Sequence, residues 1–422
     1  MLQLAHIRIE GFKALDPVEM PLHEGATFII GSNGVGKSSI LQALSFIRAF
    51  GEGRTQSYFE SRGWNPRDIY PKTQRLDVSR KSDDSIRRRN PPRPVRISLG
   101  LRHHRYRLYW EFAWSTSSQR ASGEYLYIDT GNGIETIFSF GGVASDDEHE
   151  PLPFKEFRID GSLTSIVRPS AISESESHGQ ALTDLQHWYE GITSLELLSP
   201  LAMRRGARGK QEDIGPRGEY LASFLASISA DKRSSIVRRL QRFYPLDQLS
   251  TTRKRAGWVD MQVHEQFKNF QRISPSHMSD GFFRLLGMCA IPEFEHSSSL
   301  ILLDEVEDGI EPHVLPELIR QIDAETDGQL VMTSHSPLLV NNFDQDQIVF
   351  VARDQFGRTA VALPNEIPNM REGLEFFGSG ELWANADREI FYDEVRTAGR
   401  VRPPRISSEY AVGRRARKYF ES

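Results

Sequence analysis

Ala26-Thr-Phe-Ile-Ile-Gly31-Ser32-Asn33-Gly34-Val35-Gly36-Lys37-Ser38-Ser39-Ile40 is the stretch on which the reading of this chain turns. A short apolar run of β type leads into the pattern GxxxxGKS, and Ile40 to Ile47 continue with apolar residues at helical spacing. Strand, glycine-rich loop and helix, in that order, make a phosphate cradle. The glycines let successive backbone N–H groups turn inward, Lys37 reaches the β- and γ-phosphate oxygens, and Ser38 offers a hydroxyl to Mg²⁺ at the helix N-terminus. Gly31 to Ser39 are therefore the first candidate site, for a nucleoside triphosphate with Mg²⁺.

Three further stretches supply what such a site lacks. Ser299-Leu-Ile-Leu-Leu-Asp304-Glu305 is a buried-strand pattern ending in two acids. Asp304 would hold Mg²⁺ opposite Ser38, and Glu305 would polarise the water that attacks the γ-phosphate. Leu330-Val-Met-Thr-Ser-His335 is another apolar strand, delivering an imidazole within reach of the same phosphate. Between these strands and the loop lies His277-Met-Ser279-Asp280-Gly281-Phe-Phe-Arg-Leu-Leu286, where Ser279, Asp280 and Gly281 fall at a helix start. Their N–H groups and the helix dipole would face a second phosphate surface.

Taken in order, these elements resemble the ATP-binding-cassette ATPases, and more narrowly their SMC, RecF and OLD-type branch. The opening Ile7-Arg-Ile-Glu-Gly-Phe-Lys13, the string GSNGVGKSS, the MSDGF signature, LLDEVEDGIEP and TSHSP carry the likeness, over residues 1 to about 75 and about 270 to 384. The resemblance implies an α/β fold: an ABC-type head with a mixed sheet, helices on both faces and an antiparallel β layer. It also implies ATP hydrolysis with Mg²⁺ in a head-to-tail dimer, or a higher even-numbered oligomer. There the P-loop of one protomer holds ATP while Ser279, Asp280 and Gly281 of the other close over it, with Glu305 and His335 catalytic. Glu307 and Asp308 match the D-loop, which in the family runs along the contact between protomers. The wording Asp304-Glu-Val-Glu-Asp-Gly-Ile-Glu-Pro312 departs there from the commoner DEPENGLHP. No glutamine is placed as the family's Q-loop residue; Gln74 is a candidate.

The 422 residues, 38% of them hydrophobic, suffice for a substantial core, and a net charge of −5 neither requires nor excludes nucleic acid. Cys289 is the only cysteine, which rules out an intramolecular disulfide and a cysteine-based zinc site. No apolar run reaches the roughly 18–20 residues of a membrane span, and no secretory signal is read, so the expected setting is cytoplasmic without a membrane partner.

The expected organisation is an N-terminal lobe over 1–160 with the P-loop and a β layer, a mainly helical insertion over 161–269, a C-terminal lobe over 270–384 with the remaining motifs, and a tail over 385–422. The β layer is read from alternation: Val95, Ile97, Leu99 and Leu101, then Tyr106, Leu108 and Trp110, continuing to Phe140. The absence of long heptads argues against extended coiled-coil arms.

Basic clusters give candidate phosphate-backbone contacts at Arg87, Arg88, Arg89, Arg93 and Arg96, and at Arg253, Lys254 and Arg255. Arg204, Arg205, Arg208 and Lys210 form a third cluster. Arg414, Arg415, Arg417 and Lys418 make a tail read as docking a partner. The acidic run Asp146 to Glu150 and the string Asp344-Gln-Asp346 are read as loops without catalysis. With 87 residues after His335 (422 − 335) there is little room for a nuclease domain. The reading is therefore an ATPase acting on DNA or on a separately encoded effector such as a nuclease, in prokaryotic anti-phage defence. The alternatives are a RecF-like repair ATPase and the nucleotide-binding component of an ABC transporter.

Overall fold

A computed structural model describes residues 1–71, 94–141, 160–165, 175–196, 198–267, 273–374, 377–399 and 409–421. The strands run in chain order as β1 (Gln3–Glu10), β2 (Val18–Pro21), β3 (Ala26–Ile30), β4 (Val95–Arg102), β5 (Arg107–Ser115), β6 (Arg120–Asp129), β7 (Ile134–Phe140), β8 (Ile192–Ser194), β9 (Ala207–Arg208), β10 (Leu246–Arg253), β11 (Trp258–Glu265), β12 (Leu300–Leu303), β13 (Gln329–Ser334), β14 (Ile348–Arg353) and β15 (Thr359–Ala362).

The central sheet has the order β15-β14-β3-β13-β12-β8, parallel except for the β15 edge. Its strands are short continuous apolar runs because both faces are covered. Leu300 and Leu302 face one core while Ile301 and Leu303 face the other. The first core lies between this sheet and a six-stranded antiparallel sheet, β2-β1-β4-β5-β6-β7. Between the two sheets runs the P-loop helix Lys37–Gly51, with Ile40, Leu41, Leu44, Phe46, Ile47 and Phe50 fully buried. A helix buried over most of its circumference belongs in such a place. Phe50 stacks on Phe112 of β5 at 3.9 Å between ring centroids. Each large side chain buried in this way contributes about 1.5–3 kcal/mol, so the helix that opens at the P-loop is rigidly seated.

The alternation expected over 95–110 is present, with Val95, Ile97, Leu99, Leu101, Leu108 and Trp110 all fully buried. The insertion differs from expectation. It holds helices Glu176–Glu190, Pro200–Met203, Leu221–Ser227 and Ala230–Leu240, but also the edge strand β8 and a three-stranded antiparallel sheet β10-β11-β9. Val259, Met261 and Val263 turn to the second core, whereas β10 carries a register shift between Leu246 and Gln248 that breaks its period.

The tail also differs. Helix Arg388–Ala398 packs on β14 and β15. Helix Glu409–Glu421 lies on the outer face of the antiparallel sheet, where Ala416, Tyr419 and Phe420 bury against Tyr109, Tyr125 and Tyr127. Arg415, read as part of a partner-docking tail, instead turns inward: its Nε donates to the buried Glu111 carboxylate at 3.0 Å.

Candidate functional site

The P-loop connects the C-terminal end of β3 to helix Lys37–Gly51. Its glycines are required locally: Gly34 and Gly36 sit at φ 79° and 114°, a region that side chains with a Cβ avoid. A Cβ on Gly36 would collide with Thr359 Oγ1, which donates to the Val35 carbonyl at 2.9 Å. Gly36 is the N-cap and, having no side chain, makes no side-chain cap bond, which leaves first-turn N–H groups for an anion. Arg353 Nε donates to the Gly34 carbonyl at 2.9 Å, and Arg396 Nε to the Arg353 carbonyl at 2.6 Å, so helix Arg388–Ala398 is tied to the loop. A cleft of about 840 Å³ opens there, lined by Ser32, Asn33, Gly34, Val35, Arg353 and Tyr392 among others.

Lys37 is 5% exposed and occupies the loop itself, its Nζ donating to the carbonyls of Gly31 at 2.9 Å and Ser32 at 3.1 Å. Burial lowers its pKa, and the nearby carboxylates of Glu305, Asp304 and Glu307 oppose that shift. The lysine and the acids, almost 270 residues apart in sequence (304 − 37 = 267), thus share one electrostatic neighbourhood.

Asp304 and Glu305 follow β12, beside β13. Thr333 of β13 donates from Oγ1 to Asp304 and accepts from the Glu305 N–H at 2.8 Å. Glu305 stands at φ 48°, a left-handed conformation costing a non-glycine residue about 1–2 kcal/mol. The Thr333 bond and a Val306 N–H to Thr333 carbonyl bond of 3.2 Å hold it there, with its side chain exposed. Strain sustained in this way at the end of a buried strand is typical of functional positions.

His335 leaves the end of β13 with its Nδ1 2.7 Å from Glu307 Oε1, the oxygen that also accepts the His335 backbone N–H. Glu307 Oε2 is buried without a hydrogen-bond partner among the described residues. Asp308 pairs with Arg284 at 2.6 Å. The two residues matched to the D-loop are thus both engaged inside their own chain.

Ser279 caps helix Asp280–Ala290, its Oγ accepting from Phe282 N–H at 3.1 Å. Asp280 is exposed in the first turn. A Cβ on Gly281 would strike the Gly309 carbonyl oxygen, so the signature turn lies directly on the D-loop.

Of the basic residues, Arg87, Arg88, Arg89 and Arg93 lie outside the described residues, as do Gln74 and Asp146 to Glu150. Arg96 is placed otherwise than expected, 3.4 Å from the buried Glu111 that also holds Arg415. Arg253, Lys254 and Arg255 are exposed at the tip of the β10–β11 hairpin, where Lys254 pairs with Asp260. Trp258, 42% exposed, stacks beneath the Arg208 guanidinium at 4.6 Å. Asp344 caps the short turn Gln345–Gln347. Thr333, Arg353 and Thr359 are site residues that sequence reading missed; their contacts are long-range and leave no local pattern.

A family model described as "AAA domain, putative AbiEii toxin, Type IV TA system" matches residues 26–341, from the P-loop strand past His335. Over 54 residues the chain is 41% identical to the chromosome partition protein Smc of Cereibacter sphaeroides, a match that covers 13% of this chain and 4% of that protein. Among solved structures, the SMC head domain from Thermotoga maritima aligns at 13% identity with a TM-score of 0.46, covering 86% of this chain and 98% of that one. A Pyrococcus furiosus Smc head with an extended coiled coil, bound to the C-terminal domain of ScpA, aligns at 13% identity with a TM-score of 0.48, covering 89% and 100%.

Proposed function

The chain belongs to the AAA-domain family whose model matches residues 26–341, and we propose that it is an ATP-driven clamp of the SMC/RecF type: two copies join head to tail over ATP, hydrolyse it and separate. The observation that carries this reading is convergence. The P-loop, Asp304 with Glu305, and His335 stand at the C-terminal ends of β3, β12 and β13, neighbours in one parallel sheet, which is where such sheets bind ligands.

The residues fit Mg²⁺. Ser38 in the first helical turn and Asp304, one of whose oxygens is fixed by Thr333, supply the hydroxyl and carboxylate donors a hard cation takes. Bound there, Mg²⁺ would offset charge on the phosphates. Lys37 exchanges the Gly31 and Ser32 carbonyls for phosphate oxygens, trading neutral acceptors for a charge-assisted bond. Glu305, projecting from its strained turn, takes the proton of the attacking water. Glu307 fixes the His335 ring through Nδ1, which leaves Nε2 to face the γ-phosphate. Ser279, Asp280 and Gly281 of the second copy close the site.

The output is movement applied to DNA or to a separately encoded effector. The exposed Arg253, Arg255 and Trp258 at one hairpin tip support DNA, since they offer charge for phosphates and a ring for stacking. The toxin–antitoxin wording attached to the family supports a role in prokaryotic defence. A cytoplasmic setting goes with this reading. Among the described residues no helix is long and apolar enough to cross a membrane.

The test is Glu305→Gln. ATP binding by calorimetry should persist while turnover stops, and light scattering should show dimer accumulating with ATP. Full turnover removes Glu305 as the base; ATP binding without association removes the clamp.

A further inference from the structure

The signature turn contains an electrostatic contradiction. Ser279, Asp280 and Gly281 open a helix whose N-terminus suits an anion, yet Asp280 places a carboxylate there, with its side chain 68% exposed. A γ-phosphate held by the second copy and arriving at that turn meets a like charge, which opposes closure. The chain supplies the counter-charge from the insertion. Arg204 follows helix Pro200–Met203, and its Nη2 donates both to Asp280 Oδ1 and, at 2.8 Å, to the Met278 carbonyl. The guanidinium also lies over the Phe283 ring at 5.0 Å.

Its setting is rigid. Met203 seats helix Pro200–Met203 on the signature helix, with its Cε 2.8 Å from where a Cβ on Gly287 would stand. Four residues after Arg204, Arg208 ends β9, which pairs with β11 through Trp258 and Val259. A single short path thus joins the exposed hairpin tip, β9, Arg204 and the signature turn.

We infer that Arg204 is a positioning residue for closure in trans: it neutralises Asp280 and fixes the signature turn, so that the turn accepts the γ-phosphate bound by the second copy. The inference rests on the head-to-tail reading above. It makes the insertion part of the nucleotide machine, able to strengthen or weaken closure as β9 shifts.

The experiment measures ATP-driven association in the Glu305→Gln background. Arg204→Ala should leave the ATP affinity of the single protomer unchanged. Dimer formation should weaken by about tenfold to thirtyfold, since each closed dimer contains two such pairs. Arg204→Lys should recover part of the loss. Adding Asp280→Asn to Arg204→Ala should recover more, because it removes the charge that Arg204 compensates. Turnover supplies the trans criterion in the otherwise unaltered chain. Lys37→Ala and Arg204→Ala, each poorly active alone, should regain activity when mixed, since one site of the mixed dimer has both an intact P-loop and an intact signature. Association unaffected by Arg204→Ala, no recovery with Asp280→Asn, or no complementation on mixing overturns the inference. If the Glu305→Gln protein binds ATP but does not associate, the clamp reading itself fails and takes this inference with it.

Discussion

Replacing Gly31 by alanine puts a methyl group 2.5 Å from the carbonyl oxygen of Val351 and 3.1 Å from Val35 Cγ2. Ordinary van der Waals contact begins at 3.4 Å, so the end of β3 and the backbone of β14 must separate by about 0.9 Å (3.4 − 2.5). Neither side can yield cheaply: β14 pairs with β3 through Phe350 and Ile30 immediately below. Overpacking of this kind costs about 1–3 kcal/mol of stability. The larger effect falls on the ligand. Lys37 Nζ is held by the Gly31 carbonyl, and displacing a binding group by about 1 Å costs on the order of a hundredfold in function. Gly34→Ala is the control, because among the described residues a Cβ there meets nothing within 4 Å, although its φ of 79° imposes strain of about 1–2 kcal/mol. The two variants should melt at similarly lowered temperatures. Calorimetry with ATP and Mg²⁺ should separate them, with Gly31→Ala about a hundredfold weaker than the parent and Gly34→Ala within about tenfold of it. Equal ATP affinities for Gly31→Ala and the parent would refute the claim that the loop's seat on β14 sets the phosphate cradle.

Lys37→Ala removes the cation that stands among Asp304, Glu305 and Glu307, so ATP binding measured by calorimetry should fall below detection while the melting temperature changes little. Glu124 is buried, and burial raises its pKa to about 7 despite bonds from Trp110, Ser162 and Leu163. Its folded form therefore holds a proton that the unfolded chain releases near 4.5, and stability should decline from pH 4.5 to 7 by about 3 kcal/mol and level off above. Denaturant melts of Glu124→Gln should lack that part of the decline; an identical pH slope in both proteins would remove Glu124 as its source. Reversing Arg253 and Arg255 to glutamate should weaken DNA binding more at low than at high salt, each lost phosphate contact flattening the slope of log K against log salt by about 0.9 on duplex DNA; an unchanged slope in filter-binding or anisotropy titrations would take the hairpin out of any nucleic-acid interface.

What the sequence made legible follows from where the determinants lie. The P-loop, the strand before it and the helix after it are local, and the loop's φ values could be inferred from its glycines alone. β4 and β5 were readable because Val95, Ile97, Leu99 and Leu101, then Leu108, Trp110, Phe112 and Trp114, recur at every second residue and enter the core shared with the P-loop helix. β11 was equally readable in principle, since Val259, Met261 and Val263 alternate, but the neighbouring β10 loses its period at a bulge and the hairpin passed for part of a helical insertion. The tail misled for a different reason. Arg415 is charged by type yet sits beside Glu111, and only the folded sheet reveals that a buried acid requires a basic partner there.

The same logic explains why the site itself was only half visible. A motif names the atom that touches the ligand, but not what holds that atom still. Thr333 ties together Asp304 and Glu305, Arg353 closes the back of the P-loop, and Arg204 reaches the signature from a segment about 75 residues upstream (279 − 204). Each is a hydrogen-bonding side chain whose partner is distant in sequence and adjacent in space, so no spacing rule could have found it. The consequence is that the insertion cannot be treated as a passive addition to an ATPase head. It contributes the strand β8 at the edge of the central sheet, and it carries the arginine that compensates Asp280. Any partner that grips its exposed hairpin therefore acts on the signature turn through two rigid contacts, β9 against β11 and Arg204 against Asp280.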